Sequence, residues 1–160
     1  MDLLNEIPEI AVVQSIVKKK KLSCYIVGGF LRNLLLKREC ADFDFAIKEN
    51  AIEIARLLAK EINGAFILLD EAHPCARVAK KIGGKLFTFD FADFRAKTFR
   101  GDLKLRDFTV NTLAINLSTL KPLMNARTSI IDFQNGLRDF ARKIIVMSSA
   151  GVFKDDPLRM

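Results

Sequence analysis

Two aspartates separated by one residue, Asp42 and Asp44 of "DFDFAI" (42–47), follow closely on a glycine pair and an arginine, Gly28, Gly29 and Arg32 of "VGGFLRN" (27–33). The strict alternation of "DFDFAI" predicts a strand. Residues two apart on a strand point to one face, about 7 Å apart along the chain. Asp42 and Asp44 therefore project together, and Phe43 and Phe45 go to the opposite face and the core. Two carboxylates side by side on a hydrophobic strand repel one another. A pair of divalent cations about 4 Å apart, of the kind that serves in-line phosphoryl transfer, would relieve that repulsion. Hard oxygen ligands favour Mg²⁺ over zinc. A solvated edge strand is the plainer explanation of Asp-x-Asp taken alone. The glycine pair shifts the balance. Between a strand and a helix it lets the backbone approach a phosphate, with helix N–H groups aimed at it. Arg32, one turn into the helix, adds a charge-assisted donor.

A third carboxylate would complete a two-metal site, and "KLFTFDFADF" (85–94) supplies a candidate. Phe87, Phe89 and Phe91 share one face of the expected strand, and Asp90 lies on the other with Leu86 and Thr88. Asp90 joins the pair if this strand lies beside 42–47. Otherwise it is an exposed acid on a hairpin.

The elements that must hold these residues follow from periodicity and punctuation. Residues 3–20 read as a helix closed by the lysine cluster Lys18–Lys21, 23–27 as a buried strand, and 30–38 as a helix with Leu31, Leu34 and Leu35 on one side. Asn50 is expected to cap a helix running to Ile62, stopped by Asn63-Gly64. A strand at 65–70 precedes a hairpin, 75–81 and 85–94, joined by "IGG". Residues 106–117 are predicted helical, 130–133 a strand, the region near 137–143 a short helix and 144–147 a last strand. Helices alternating unevenly with strands around a hairpin indicate an α+β fold with a mixed or antiparallel sheet. "FKDDPLRM" (153–160) looks like the first turn of a further helix, with Asp at the cap and Pro at the first helical position. The chain is thus expected to be the front part of a longer protein: an N-terminal helical segment (1–22), a catalytic unit (23–150) and the start of another unit (151–160).

The 160 residues suffice for one compact domain, and the hydrophobic half of the composition rules out a disordered tail. The net charge of +7 points to an acidic partner: a nucleotide, a nucleic acid or an anionic membrane. No apolar stretch is long enough to span a bilayer, and "MDLLNEIPEIAVVQ" lacks the cationic start of a signal peptide. Cys24, Cys40 and Cys75 are an odd number at no metal-like spacing, with Cys24 and Cys75 expected as small core residues. A reducing, cytoplasmic setting fits them. His73, before Pro74, reads as a loop residue.

Taken together, "VGGFLRNLLL…ADFDFAI" resembles the signature of the head domain of class II tRNA nucleotidyltransferases (CCA-adding enzymes) and bacterial poly(A) polymerases, a branch of the DNA polymerase beta superfamily. The interval from Arg32 to Asp42 is the family's. "FDFADFR" (89–95) resembles the strand carrying the third acid, and "DLKLRDFTVNTLAINL" (102–117) the Arg-Arg-Asp-Phe-Thr-Ile-Asn-Ala motif. "IIDFQNGLRDFARKII" and "FKDDPLR" resemble the closing segment and the start of the Asp-Pro-Leu-Arg motif. The resemblance covers residues 23–160. It implies a polymerase beta-like fold and a template-independent transfer of CMP or AMP from CTP or ATP to a tRNA 3′ end, with Mg²⁺ held by Asp42 and Asp44 and with Asp90 as third catalytic acid. It further implies that Gly28, Gly29 and Arg32 contact the triphosphate, that Arg106, with Asp107 and Asn111, shapes the nucleotide pocket, and that Asp156 and Arg159 open the next binding helix. Two positions depart from the family: Asn33 stands for an Asp, and Leu105 for the first of two arginines. The base-selecting motif would lie beyond Met160. Poly(A) addition, and a non-catalytic nucleotide- or RNA-binding module, are the alternatives.

Overall fold

A computed structural model describes residues 2–122 and 125–151. Among these, seven strands form one sheet: β1 (Cys24–Val27), β2 (Asp42–Ile47), β3 (Ala65–Asp70), β4 (Cys75–Ile82), β5 (Lys85–Asp93), β6 (Ala114–Asn116) and β7 (Ile130–Ile131). The order across the sheet is β3-β4-β5-β2-β1-β6-β7. β2 and β5 run parallel, and the other pairs are antiparallel. The mixed α+β architecture expected from the sequence is the one observed.

One face of the sheet carries the core. Phe43 and Phe45 of β2 lie beside Phe89 and Phe91 of β5 and are fully buried, with Phe45 and Phe91 stacked at 4.8 Å. Burying each ring contributes about 1.5–3 kcal/mol. Four helices close over or beside this layer: α1 (Leu3–Glu6), α2 (Pro8–Lys19), α3 (Gly29–Leu35) and α4 (Ala51–Ile62). The first two share the core of the sheet, and Gln14 Nε2 donates to the Leu117 and Leu120 carbonyls at 2.7 and 2.6 Å. On the opposite face, α5 (Phe99–Lys104) packs over Val27, Ala46 and Ala114, with Tyr25 stacked on Phe99 at 3.6 Å. α6 (Gly136–Ala141) sits under the segment that precedes β6.

Several elements differ from their sequence expectation, each for a local reason. The helix predicted over 3–20 is two helices. Pro8 has no N–H to continue the first and opens the second, and it pushes Ile7 to φ −132°, ψ 85°. Asn50 stands at the start of α4 in a left-handed conformation, but its side chain does not cap. Asp93 does so instead, accepting from Ala51 N–H at 2.8 Å. The 106–117 segment is not a helix. Phe108 is extended, Thr109–Asn111 make one 3₁₀ turn, and 114–116 form β6. Its β-branched Thr109, Val110, Thr112 and Ile115 disfavour helix. Asp107 takes the Phe108 N–H at 2.7 Å, and β1 offers a ready edge to Ala114–Asn116. The strand at 130–133 shortens to Ile130–Ile131, because Asp132 turns the chain by accepting from the N–H groups of Gln134, Gly136 and Leu137. The expected strand at 144–147 reduces to one bridge between Met147 and Phe108. The β4–β5 hairpin closes on Gly83 and Gly84, both at positive φ (55° and 85°), as a two-residue turn requires.

Candidate active site

The parallel register of β2 and β5 places Asp44 beside Asp90 and Asp42 beside Thr88, on the face opposite the phenylalanines. Adjacent strands lie about 4.8 Å apart, so three carboxylates gather on one small patch. Asp42 is exposed and accepts from Thr88 Oγ1 at 2.6 Å. Asp44 is half-buried. Its carboxyl is pushed above the usual aspartate range, first by burial and then by the negative charge of Asp90, with Arg106 pulling the other way.

Gly28 sits at φ 75°, ψ −151°, a conformation open essentially to glycine alone. A Cβ built there would collide with Asp44 Oδ2. The glycine turn and the acidic strand are thus in contact, and the bare backbone leaves the carboxylate its room. One turn into α3, Arg32 Nη1 donates to Asn111 Oδ1 at 3.1 Å, and Asn111 Nδ2 donates to Asp107 Oδ1 at 3.0 Å. The motif residues of 102–117 therefore reach the glycine turn through a hydrogen-bond chain, although their backbone is not the helix the sequence suggests.

Asp44, Asp90 and Arg106 line a cleft of about 760 Å³ together with Phe94, Arg95 and Asp102. Its volume is in the range of small-molecule sites, roughly 300–1,000 Å³. Arg106 is largely buried, which lowers its guanidinium pKa, and Asp102 and Asp44 offset part of that cost. Its Nη2 donates to Asp102 Oδ2 at 3.4 Å, and its Nε is buried with no hydrogen-bond partner. A buried donor without a partner, on a residue that lines the cleft, is an unmet demand for an acceptor. A larger cavity of about 880 Å³ on the helical face has Glu6 and Glu39 in its lining, and Glu6 already accepts from Asp2 N–H. Two of its cations are engaged: Lys85 pairs with Glu39, and Arg127 binds the Leu34 carbonyl.

Of the sequence-predicted residues, Gly28, Gly29, Arg32, Asp42, Asp44, Asp90, Arg106, Asp107 and Asn111 are assembled in this region. Asp156 and Arg159 lie outside the described residues. His73 is in the β3–β4 turn, as expected of a loop residue, with Nδ1 3.2 Å from Asp70 Oδ2. The turn also forms one wall of the cleft. Cys24 is buried in β1, and burial raises its thiol far above the ordinary range. Cys75 is half-buried on β4 beside the cleft, not in the core. Sequence reasoning missed Asp102, which pairs with Arg106 and accepts from Arg95 N–H at 3.0 Å. It also missed Arg77, whose Nε and Nη2 donate to the two oxygens of Asp90 at 2.7 Å each. The spacing of Asp102 and Arg106, one helical turn, was the available signal for the first.

The donor set suits a hard divalent cation. Asp42 and Asp44 offer oxygens, and burial and mutual repulsion leave Asp44 in want of a cation. Among the described residues, no three carboxylate, thiol or imidazole groups form a ready-made metal cluster. The donors present, Asp42 and Asp44, are of the kind and number that Mg²⁺ ordinarily takes from a protein, with substrate phosphates completing its shell.

Residues 24–146 match the family described as the poly A polymerase head domain. The chain belongs to that family. It is 33% identical over 150 residues to the CC-adding tRNA nucleotidyltransferase of Geobacter sulfurreducens, a match covering 94% of this chain and 33% of the relative. It is 35% identical over 156 residues to the A-adding tRNA nucleotidyltransferase of Aquifex aeolicus, covering 87% of this chain and 17% of that protein. Among solved structures, a tRNA nucleotidyltransferase complexed with a primer tRNA and an incoming ATP analog superposes with a TM-score of 0.75 at 34% identity, covering 92% of this chain and 42% of that one. The chain thus spans about a third or less of the length of these curated relatives. This head carries its acids on the sheet face away from the phenylalanine core, and among its described residues no helix is long and apolar enough to cross a membrane.

Proposed function

We propose that residues 23–150 are the catalytic head of a tRNA nucleotidyltransferase, which transfers CMP or AMP from CTP or ATP to the 3′-hydroxyl of tRNA and releases pyrophosphate. The observation that carries this reading is the carboxylate row Asp42–Asp44–Asp90 set directly against the Gly28 turn. Asp42 and Asp44 would hold Mg²⁺, with Asp90 as the third acid. Bound there, the ion would make the primer hydroxyl a better nucleophile and neutralise charge on the triphosphate.

The chain's own residues do the positioning. The turn at Gly28 and Gly29 lets the phosphates approach the backbone without a side chain intervening. Arg32 is steered by Asn111 towards the same place, where it binds a phosphate oxygen. Arg106 Nε, unpaired in the protein, finds its acceptor on the nucleotide. Asp107 fixes Asn111 and the Phe108 backbone, and so the pocket wall. The 3′-oxygen bonds to the α-phosphorus, the bond to the β-phosphate breaks, and the barrier falls chiefly through orientation and charge stabilisation. Support for the tRNA primer comes from the relatives, whose names specify CC and A addition to tRNA.

The test is incorporation of labelled CMP and AMP into tRNA lacking its 3′ CCA by the full-length protein. Asp42→Ala and Asp44→Ala should each lower it more than about hundredfold with the melting temperature retained, because two carboxylates share one charge-neutralising task. Activity within about tenfold of wild type would sink the mechanism. The family description favours a second reading, poly(A) addition. Product length separates the two: a few added nucleotides against a long homopolymer. A non-catalytic module would bind nucleotide yet release no pyrophosphate.

A further inference from the structure

The third acid of the row is already occupied. β4 pairs antiparallel with β5 so that Arg77 stands directly opposite Asp90. The guanidinium grips both carboxylate oxygens in a two-pronged pair, Nε to Oδ1 and Nη2 to Oδ2, each at 2.7 Å. This is the strong, planar geometry that arginine makes with a carboxylate and lysine cannot. Across the sheet the sequence of charges is Arg77, Asp90, Asp44, all on one face. Asp90 is the chief partner that favours the charged form of Arg77, ahead of Asp42 and Asp44. Its side chain is 41% exposed and that of Asp90 24%, which places the pair at the surface, where it can open without leaving a charge stranded in the core.

With a guanidinium on both oxygens, Asp90 has its charge neutralised and one lone pair of each oxygen taken, so it is a poorer ligand for any cation shared with Asp44. We propose that Arg77 is a positioning residue that serves as the internal counter-ion of Asp90, and that Asp90 must part from it to become a full ligand of a divalent cation. β4, a strand without an acid of its own in the row, then sets how tightly the site takes metal. The inference rests on the reading that Asp42 and Asp44 hold that cation. A merely structural ion pair would stiffen the hairpin and leave metal affinity unchanged.

The experiment is Mg²⁺ titration by calorimetry, without nucleotide, on the full-length protein and on Arg77→Gln, Arg77→Lys, Asp90→Asn and the Arg77→Gln/Asp90→Asn double variant. Arg77→Gln should bind Mg²⁺ about tenfold more tightly than wild type, since the competing cation is gone. Arg77→Lys, which keeps the charge and loses the fork, should fall between them and serves if the glutamine variant folds poorly. On the Asp90→Asn background the same arginine change should alter affinity by less than about twofold, because a competitor that acts through Asp90 has nothing left to act on. Equal or weaker binding by both Arg77 variants overturns the inference and leaves the proposed function standing. A wild-type protein that binds no Mg²⁺, or one whose binding Asp42→Asn and Asp44→Asn leave intact, overturns both.

Discussion

Gly28 and Asp44 lie so close that no side chain can stand at residue 28 without displacing the carboxylate. The same glycine is held at a positive φ of 75°. Gly28→Ala therefore meets two penalties, backbone strain of about 1–3 kcal/mol and a shove on Asp44. The variant should melt several degrees below wild type and lose nucleotide addition out of proportion to the loss of fold. Wild-type turnover by Gly28→Ala, at a temperature where it stays folded, would contradict the contact.

The acidic patch gives a prediction of opposite sign. The Asp44 carboxyl is raised in the folded chain, so the folded state holds that proton more tightly than the unfolded state does. Below about pH 4, the ordinary aspartate pKa, both states are protonated and Asp44 costs nothing. As pH rises through the raised value, ionisation costs stability. Asp44→Asn removes that cost. In a metal chelator it should melt above wild type by a few degrees at neutral pH, with the gap closing as pH falls below about 4. Thermal melts at both ends of that range decide it, and a variant less stable than wild type at neutral pH refutes it.

Much of this site was legible in the residues, and the part that was not has a definite cause. The period of two in 42–47 and 85–94 places Asp42, Asp44 and Asp90 on the faces they occupy, because a strand fixes side-chain direction whatever its neighbours are. That β2 and β5 are neighbours is a matter of tertiary structure, and parity alone permits it without requiring it. Arg77 could have been found by counting back from the Gly83-Gly84 turn, since a two-residue hairpin fixes which residues stand opposite. The 106–117 segment misled for the converse reason. Its residues repeat at near-helical spacing, yet Asp107 and Asn111 commit their side chains to the local backbone and to each other, and β1 claims the rest as a strand. The residues around Asn111 reach the glycine turn through side chains, which no backbone prediction records.

Arg106 carries an unpaired, buried Nε, and Arg106→Lys tests whether a nucleotide satisfies it. Lysine keeps the charge beside Asp102 but has neither the Nε–H nor the fork. Triphosphate affinity should fall about tenfold, the scale of one charge-assisted hydrogen bond. The melting temperature should fall modestly, because the Nη2 bond to Asp102 goes with the fork, so affinity is measured where the variant stays folded. Unchanged affinity in an equilibrium binding assay would show that the demand is met elsewhere.

The chain from Arg32 through Asn111 to Asp107 predicts non-additivity. Asn111→Ala frees Arg32 from its partner, so it should weaken triphosphate binding by about five- to tenfold with no charge removed. Arg32→Ala should weaken it at least as much. Combined, the two changes should cost clearly less than the product of the single effects, since asparagine acts by placing the arginine. Full additivity in a double-mutant cycle would mean that Asn111 binds the nucleotide independently.

The groups assembled around the acids also predict what this chain does not discriminate. Asp42 and Asp44 meet metal and phosphate. Arg32 and the bare backbone at Gly28 and Gly29 meet phosphate oxygens, which every nucleoside triphosphate presents alike. Choosing a base requires directed donors and acceptors on its Watson–Crick edge, and a buried polar group left unpaired by the wrong base is what supplies strong discrimination. Among the described cleft residues Arg106 Nε is a buried donor without a partner, and a single donor does not by itself separate cytosine and adenine from guanine and uracil. The 160-residue chain, titrated with Mg²⁺ present, should therefore bind CTP, ATP, GTP and UTP within about tenfold of one another. Its binding of RNA should be salt-sensitive and indifferent to sequence, as phosphate contacts on a surface of net charge +7 dictate. If CTP and ATP bind more than about hundredfold tighter than GTP and UTP, base selection resides within these residues, and Arg106 with the walls of its cleft is the first place to look for it.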